Sequence, residues 1–120
     1  MAYVDGFVIP IPEKNVPAYL EIARKASKVW IEHGALEYRE CVGDDLAVHC
    51  GPGFLGQVKA EPGETVVFAW IVYKSRAHRD EVNKAVMADE RLAGMSPEDM
   101  PFDVNRMVYG GFKVIVEASS

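Results

Sequence analysis

The segment 65–74 (TVVFAWIVYK) limits the possible folds more than any other part of the chain. Its β-branched and aromatic residues predict a strand, and successive side chains of a strand point to opposite faces. Val66, Phe68, Trp70 and Val72 therefore share one face, and Val67, Ala69, Ile71 and Tyr73 share the other. A sheet with one wet face alternates apolar with polar residues, and this strand has no polar side. Both of its faces need cover. A further strand over 106–117 behaves alike, with Met107, Tyr109 and Ile115 set against Val108, Phe112, Val114 and Val116, and its Gly110-Gly111 pair predicts a bulge or bend.

Periodicity along the rest of the chain predicts the order strand, helix, strand, strand, helix, strand. The first strand covers 3–11 and is closed by Pro10 and Pro12. The first helix starts at Val16, with Asn15 as its N-cap and Pro17 in its first turn, where a missing N–H is harmless. Val16, Tyr19, Leu20, Ala23, Ala26, Trp30 and His33 recur at three and four and form one buried stripe, which Gly34 ends as a C-cap. The opposite face carries Glu21 with Lys25 and Lys28 with Glu32, pairs at i,i+4 that mark a solvated surface. The second strand, 36–42, contains Glu37, Arg39 and Glu40 and reads as exposed on one side or as an edge. A long connection over 43–63 holds five glycines and two prolines, a length that is functional or ordered by a partner in so small a protein. The second helix starts at Ser75 as N-cap and buries Val82, Ala85 and Val86; Ser96-Pro97-Glu98-Asp99 begins a further single turn.

Two helices and four strands in this order predict an α+β fold, a split βαβ sandwich with both helices on one face of an antiparallel four-stranded sheet. The other face is then bare. Four strands of about 8 residues at ~4.8 Å spacing and ~3.3 Å rise give a face of ~500 Å² in plan, as large as the biggest apolar patch a monomer usually shows. A second copy packing sheet to sheet is the economical cover, which predicts a homodimer; the alternative is that the 43–63 connection folds over the sheet.

Composition narrows the function classes. With 120 residues the chain is one domain, 1–120. Its 13 basic and 18 acidic residues give a net charge of -5, and the basic residues are not gathered into a block, so nucleic acid is not an expected partner. No apolar run reaches the ~18 residues of a membrane span, and the N-terminus lacks a secretory signal, so a cytoplasmic protein with no membrane partner is expected. Cys41 and Cys50 form neither a disulfide framework nor a zinc spacing, and reduced thiols are expected. His49 and Cys50, near Cys41, Asp44 and Asp45, mix soft and hard ligands without a metal geometry, so no metal is expected.

Particular stretches are less generic. Tyr3-Val4-Asp5-Gly6-Phe7-Val8, Trp30 followed by His33-Gly34-Ala35-Leu36-Glu37-Tyr38, Glu40-Cys41-Val42-Gly43-Asp44-Asp45, Glu64-Thr65-Val66-Val67-Phe68-Ala69-Trp70, Tyr73-Lys74-Ser75-Arg76, Asn83-Lys84-Ala85-Val86-Met87, Met100-Pro101-Phe102-Asp103 and Arg106-Met107-Val108-Tyr109-Gly110-Gly111-Phe112 closely resemble the YbaA-like family of bacterial proteins of unknown function. The loop 49–58 departs from that pattern, most clearly over 49–56. The resemblance implies membership of the dimeric α+β barrel superfamily, in which two ferredoxin-like βαββαβ subunits pair their sheets. It supplies no established reaction. The superfamily includes cofactor-free quinol monooxygenases and haem-degrading enzymes; the latter use an Asn, a Trp and a His, whose nearest positions here are Asp5, Trp70 and His78. Asn is replaced and the Trp-to-His spacing is shorter, so the resemblance implies no cofactor.

Candidate chemistry centres on the cleft between sheet and helices. Asp5 sits in an apolar strand, where burial would raise its pKa for proton transfer; the alternative is that it accepts hydrogen bonds from strand four or pairs with Arg106. His33 is a second proton-transfer candidate. Tyr38, Trp70 and Tyr109 are the candidate ring residues of a pocket, with core packing as the alternative for Trp70. Lys74, Arg76, His78 and Arg79 surround the start of the second helix, where cations oppose the helix dipole. Arg76 and His78 would hold the anionic group of a ligand there, or the cluster pairs with Asp80, Glu81 or Asp44-Asp45. Two function classes follow: a cofactor-independent oxygenase-like or isomerase-like enzyme acting on a small apolar or aromatic metabolite, or a non-catalytic ligand-binding or stress-related module using the same cleft.

Overall fold

The computed structural model describes residues 2–120. β1 (Tyr3–Pro12) leads through a 3-10 turn into α1 (Val16–Glu32), followed by β2 (Glu37–Val42), a short α2 (Gly53–Gln57), β3 (Glu64–Tyr73), α3 (Arg76–Met87), α4 (Glu90–Ala93) and β4 (Val108–Lys113). The strands form one sheet in the order β2-β3-β1-β4, every neighbouring pair antiparallel. β2 is an edge strand, as its charges require. This is the α+β, ferredoxin-like arrangement that the element order predicts. No helix among the described residues is long and apolar enough to cross a membrane.

The register settles which residues share a face. Phe7 lies opposite Ala69 and Tyr109, and Ala69 lies opposite Glu40, so Tyr3, Asp5, Phe7, Ile9 and Ile11 of β1 share the helix-covered face with Val67, Ala69, Ile71 and Tyr73. Two apolar clusters form there. Ile9, Ile11, Tyr19, Ala23, Val67, Ala69 and Phe102 make one; Val29, Ala35, Ile71, Tyr73, Val82 and Val86 make the other.

The opposite face carries Val4, Val8, Val66, Phe68, Trp70, Val72, Val108 and Phe112. The 43–63 connection covers one corner of it. Phe54 of α2 meets Phe68 edge-on at 6.0 Å, and Val66 is only 2% exposed. Elsewhere the face stays open, with Phe112 61% exposed.

Several local expectations need correction. Asn15 does not cap α1: its backbone is already helical, and its Nδ2 donates to the Pro101 carbonyl at 2.9 Å. The α1 stripe includes Val29 and leaves Leu20 exposed. Glu21 pairs with Arg24 and Glu32 with Arg91, in place of the i,i+4 pairs. β4 ends at Lys113, and Gly110 and Gly111 pair in unbroken register with Gly6 and Asp5, so there is no bulge. Gly111 is required for a different reason. The Tyr3 ring lies against it, so that a Cβ would stand 2.8 Å from the ring's Cε2. Gly34, at φ 115°, follows α1 in the left-handed conformation as expected. Ser75 caps α3, its side chain accepting from the His78 N–H at 3.1 Å.

Candidate functional site

Between α1, the segment after α3 and the covered sheet face lies a cavity of about 240 Å³. Its walls come from both apolar clusters and the residues packed on them, through Phe7, Ile9, Ala23, Phe102, Met100, Met107, Trp30, Ile71 and Leu92, with Ala26 and Met95 beside them. Small residues on α1 create the space. Ala23 and Ala26 are the short side chains of α1 on this wall, and three methionines supply a wall of adaptable shape.

One polar cluster interrupts this lining. Tyr19 on α1 and Tyr38 on β2 both donate to Glu40, at 2.7 Å each, one to Oε1 and one to Oε2. Burial is the main influence on all three groups. It pushes the Glu40 carboxyl above its ordinary value against the two hydrogen bonds, which favour the charged form. The same burial, with Glu40 beside them, holds both phenols far above their usual range, so they remain donors. No arginine or lysine faces Glu40 among the described residues. Period two in β2 was the available signal: Tyr38 and Glu40 are two apart, so a strand that turns one inward turns both.

Of the residues expected from sequence, Tyr38 alone lines this cavity. Asp5 is on the covered face and 6% exposed, but it belongs to a separate network. Its Oδ1 accepts from Arg79 at 2.8 Å and its Oδ2 from Asn83 at 3.4 Å, while the Asn83 side-chain Oδ1 accepts from Trp30 and Tyr73. Arg79 also lies over the Tyr3 ring, 5.0 Å from its centroid. Arg106, the partner expected for Asp5, pairs with Glu64 instead, at 2.7 Å. β4 starts only after Arg106, so that side chain is at the opposite end of β1.

His33 sits at the C-terminus of α1 with Nε2 2.8 Å from Asp89, whose carboxyl is held well below the usual range by Arg91 and His33. It does not line the cavity. Trp70 is on the open face beside Phe68, at 5.6 Å. Tyr109 stacks on Phe7 at 6.1 Å but is 68% exposed at the sheet edge. The cluster at the start of α3 is mostly engaged internally. His78 Nδ1 accepts from the Lys74 N–H at 2.9 Å, Arg79 is turned to Asp5 and Asp80, and Arg76 is exposed. Asp5, Trp70 and His78 are thus not brought together. Cys41 and Cys50 are free thiols, both exposed.

Fold and cavity together define a ferredoxin-like α+β protein with an apolar cleft between its helices and its sheet. A family model described as "Protein of unknown function (DUF1428)" matches residues 2–104, and the chain belongs to that family. It is 44% identical over 117 residues to "Uncharacterized protein YbaA" of Escherichia coli (strain K12), covering 98% of this chain and 99% of that one. Solved structures share the fold at low identity. An uncharacterized NIPSNAP domain protein from Burkholderia xenovorans has a TM-score of 0.61 at 15% identity, covering 98% of this chain and 99% of that one. A putative antibiotic biosynthesis monooxygenase from Bacillus cereus has 0.58 at 13%, covering 99% and 98%. A protein from an uncultured marine organism, described as a dimeric ferredoxin-like protein, has 0.56 at 13%, covering 98% and 100%.

Proposed function

We propose that this one-domain chain is a cytoplasmic homodimer, paired through its open sheet faces, whose cavity takes one small apolar or aromatic metabolite. The observation that carries the ligand reading is a chamber lined almost wholly by hydrocarbon, with one polar cluster on its wall. Such chambers with few, well-placed polar groups are the usual form of small-molecule sites. At about 240 Å³ this one is below the ~300–1,000 Å³ typical of larger ligands, so it suits a small one. The pairing is supported by the open apolar face and by the description of one fold neighbour as dimeric.

A cofactor-independent enzyme using Glu40 for proton transfer is the second reading. It is favoured by the upward displacement of that carboxyl, which brings a buried acid nearer to neutrality. The binding reading is preferred because Tyr19, Tyr38 and Glu40 satisfy one another.

A thermal-shift screen of ring-bearing small molecules tests the cavity, read beside Ala26→Leu, which fills it while keeping a good helix former. Stabilisation of the natural chain that disappears in A26L supports the reading. Equal stabilisation of both, or of neither, overturns it. Sedimentation at micromolar concentration tests the pairing: a species of twice 13.3 kDa is expected, and a clean 13.3 kDa species refutes it.

A further inference from the structure

Five carboxylates are buried or half-buried: Asp5, Glu37, Glu40, Glu64 and Asp89. Four have a cationic partner within 3 Å. Asp5 is paired with Arg79, Glu37 with Arg39, Glu64 with Arg106, and Asp89 with Arg91 and His33. Glu40 alone has none among the described residues, and it is the one that faces the cavity. Partly buried charge without a counter-charge is costly, and the chain has met that cost elsewhere with arginine.

The hydrogen-bond bookkeeping of the wall points the same way. Both phenol protons are committed to the carboxylate, one to each oxygen. What remains free is acceptor capacity: unused lone pairs on Glu40 and on the two phenol oxygens. Trp30, the other lining residue with a polar N–H, has its donor committed to Asn83 at 3.1 Å. A carbonyl or carboxylate ligand would find no donor here. An ammonium group, with three donors and no acceptor, matches a wall made only of acceptors. The rings of Trp30 and Tyr38, with centroids 6.0 Å apart, line the same wall.

We propose that the cavity is a recognition site for an apolar monoamine, its ammonium seated on Glu40 between Tyr19 and Tyr38 and its hydrocarbon part filling the space between α1 and the sheet. This rests on the cavity reading given above. The carboxylate supplies the counter-charge site, the two phenols hold both its oxygens in place, and Met95, Met100 and Met107 adapt to the apolar part.

Calorimetric titration with 2-phenylethylamine, 2-phenylethanol and 3-phenylpropionate at neutral pH tests the assignment, on the natural chain, on Glu40→Gln and on Ala26→Leu. The amine should bind the natural chain at least about tenfold tighter than the alcohol, the difference between charged and neutral hydrogen bonding, and the carboxylate should not bind. Glu40→Gln should erase the preference while the alcohol still binds, and Ala26→Leu should exclude all three. If the alcohol or the carboxylate binds the natural chain as well as the amine, the amine assignment falls and the cavity reading stands. If none of the three binds and no ring compound stabilises the chain, both fall. Should Glu40→Gln fail to fold, the amine-to-alcohol ratio of the natural chain decides alone.

Discussion

Arg79→Ala isolates what holds Asp5 in place. In the folded protein the Asp5 carboxylate is 6% exposed and accepts from Arg79 at 2.8 Å and from Asn83 at the longer distance of 3.4 Å. The Arg79 side chain is itself only 19% exposed. Breaking a buried pair from one side leaves an uncompensated charge, which costs about 3–5 kcal/mol. Loss of the guanidinium from the Tyr3 face adds ~0.5–1 kcal/mol. With a urea slope of about 1–3 kcal/mol/M for a small protein, the unfolding midpoint should fall by roughly 2 M. Removing the charge as well should recover much of that loss, so Asp5→Asn combined with Arg79→Ala should be more stable than Arg79→Ala alone. Equilibrium urea unfolding followed by tryptophan fluorescence gives all the corners of the cycle. The reasoning fails if Arg79→Ala unfolds within about 1 kcal/mol of the natural chain, or if the double variant is no better than the single one. Asp5→Asn should also leave binding in the cavity unchanged, because Asp5 is not on its wall.

Three further outcomes follow from local geometry. Gly111→Ala should lower the melting temperature by roughly 4–12 °C, an overpacking cost of ~1–3 kcal/mol, because the new methyl group meets the buried Tyr3 ring; Gly94→Ala, with open space around it, serves as the control. Ser75→Ala should cost about 1 kcal/mol by removing the acceptor for the His78 N–H, and Ser75→Asp should restore it; unfolding midpoints compare the three. The Glu40 carboxyl titrates above its ordinary value of 4.5 in the folded state, so between that value and the folded one the native protein binds the extra proton. The stability it contributes is therefore present at low pH and lost as pH rises through the folded value. Urea midpoints for the natural chain and Glu40→Gln between pH 4 and 8 should diverge in that direction, and parallel curves would refute the burial argument.

Much of the fold is legible in the chain because its strongest signals are local. Strand residues 65–74 are apolar on both sides, Gly34 stands where a helix must turn left-handed, and Ser75 precedes a helical pattern, so β3, the end of α1 and the start of α3 lie where expected. The misassigned partners of Asp5 and Asn15 are long-range choices among several chemically equivalent groups. Asp5 needed a cation, and both Arg79 and Arg106 are plausible from sequence; only the position of α3 over β1 and the late start of β4 select Arg79. Asn15 has the chemistry of an N-cap, but Pro101, 86 residues away, takes its amide instead.

The candidate site was partly legible for the same reason and partly hidden by a habit of reading charge as exposure. Glu40 sits in a segment with Glu37 and Arg39, and three charged residues in a short strand read as a solvated edge. Strand parity divides them. Glu37 and Arg39 face the open side and pair with each other at 2.6 Å, whereas Tyr38 and Glu40 turn under α1. Once Tyr38 is placed in the cleft, Glu40 must follow, and Tyr19, on the buried stripe of α1, supplies the second hydroxyl. Trp70 shows the converse. Its size marks it as a pocket residue, but it shares parity with Phe68 and Val72, and that places it on the sheet face that the helices leave uncovered. Residue type suggests a role, and in a strand the choice between the two faces then decides which role is physically available.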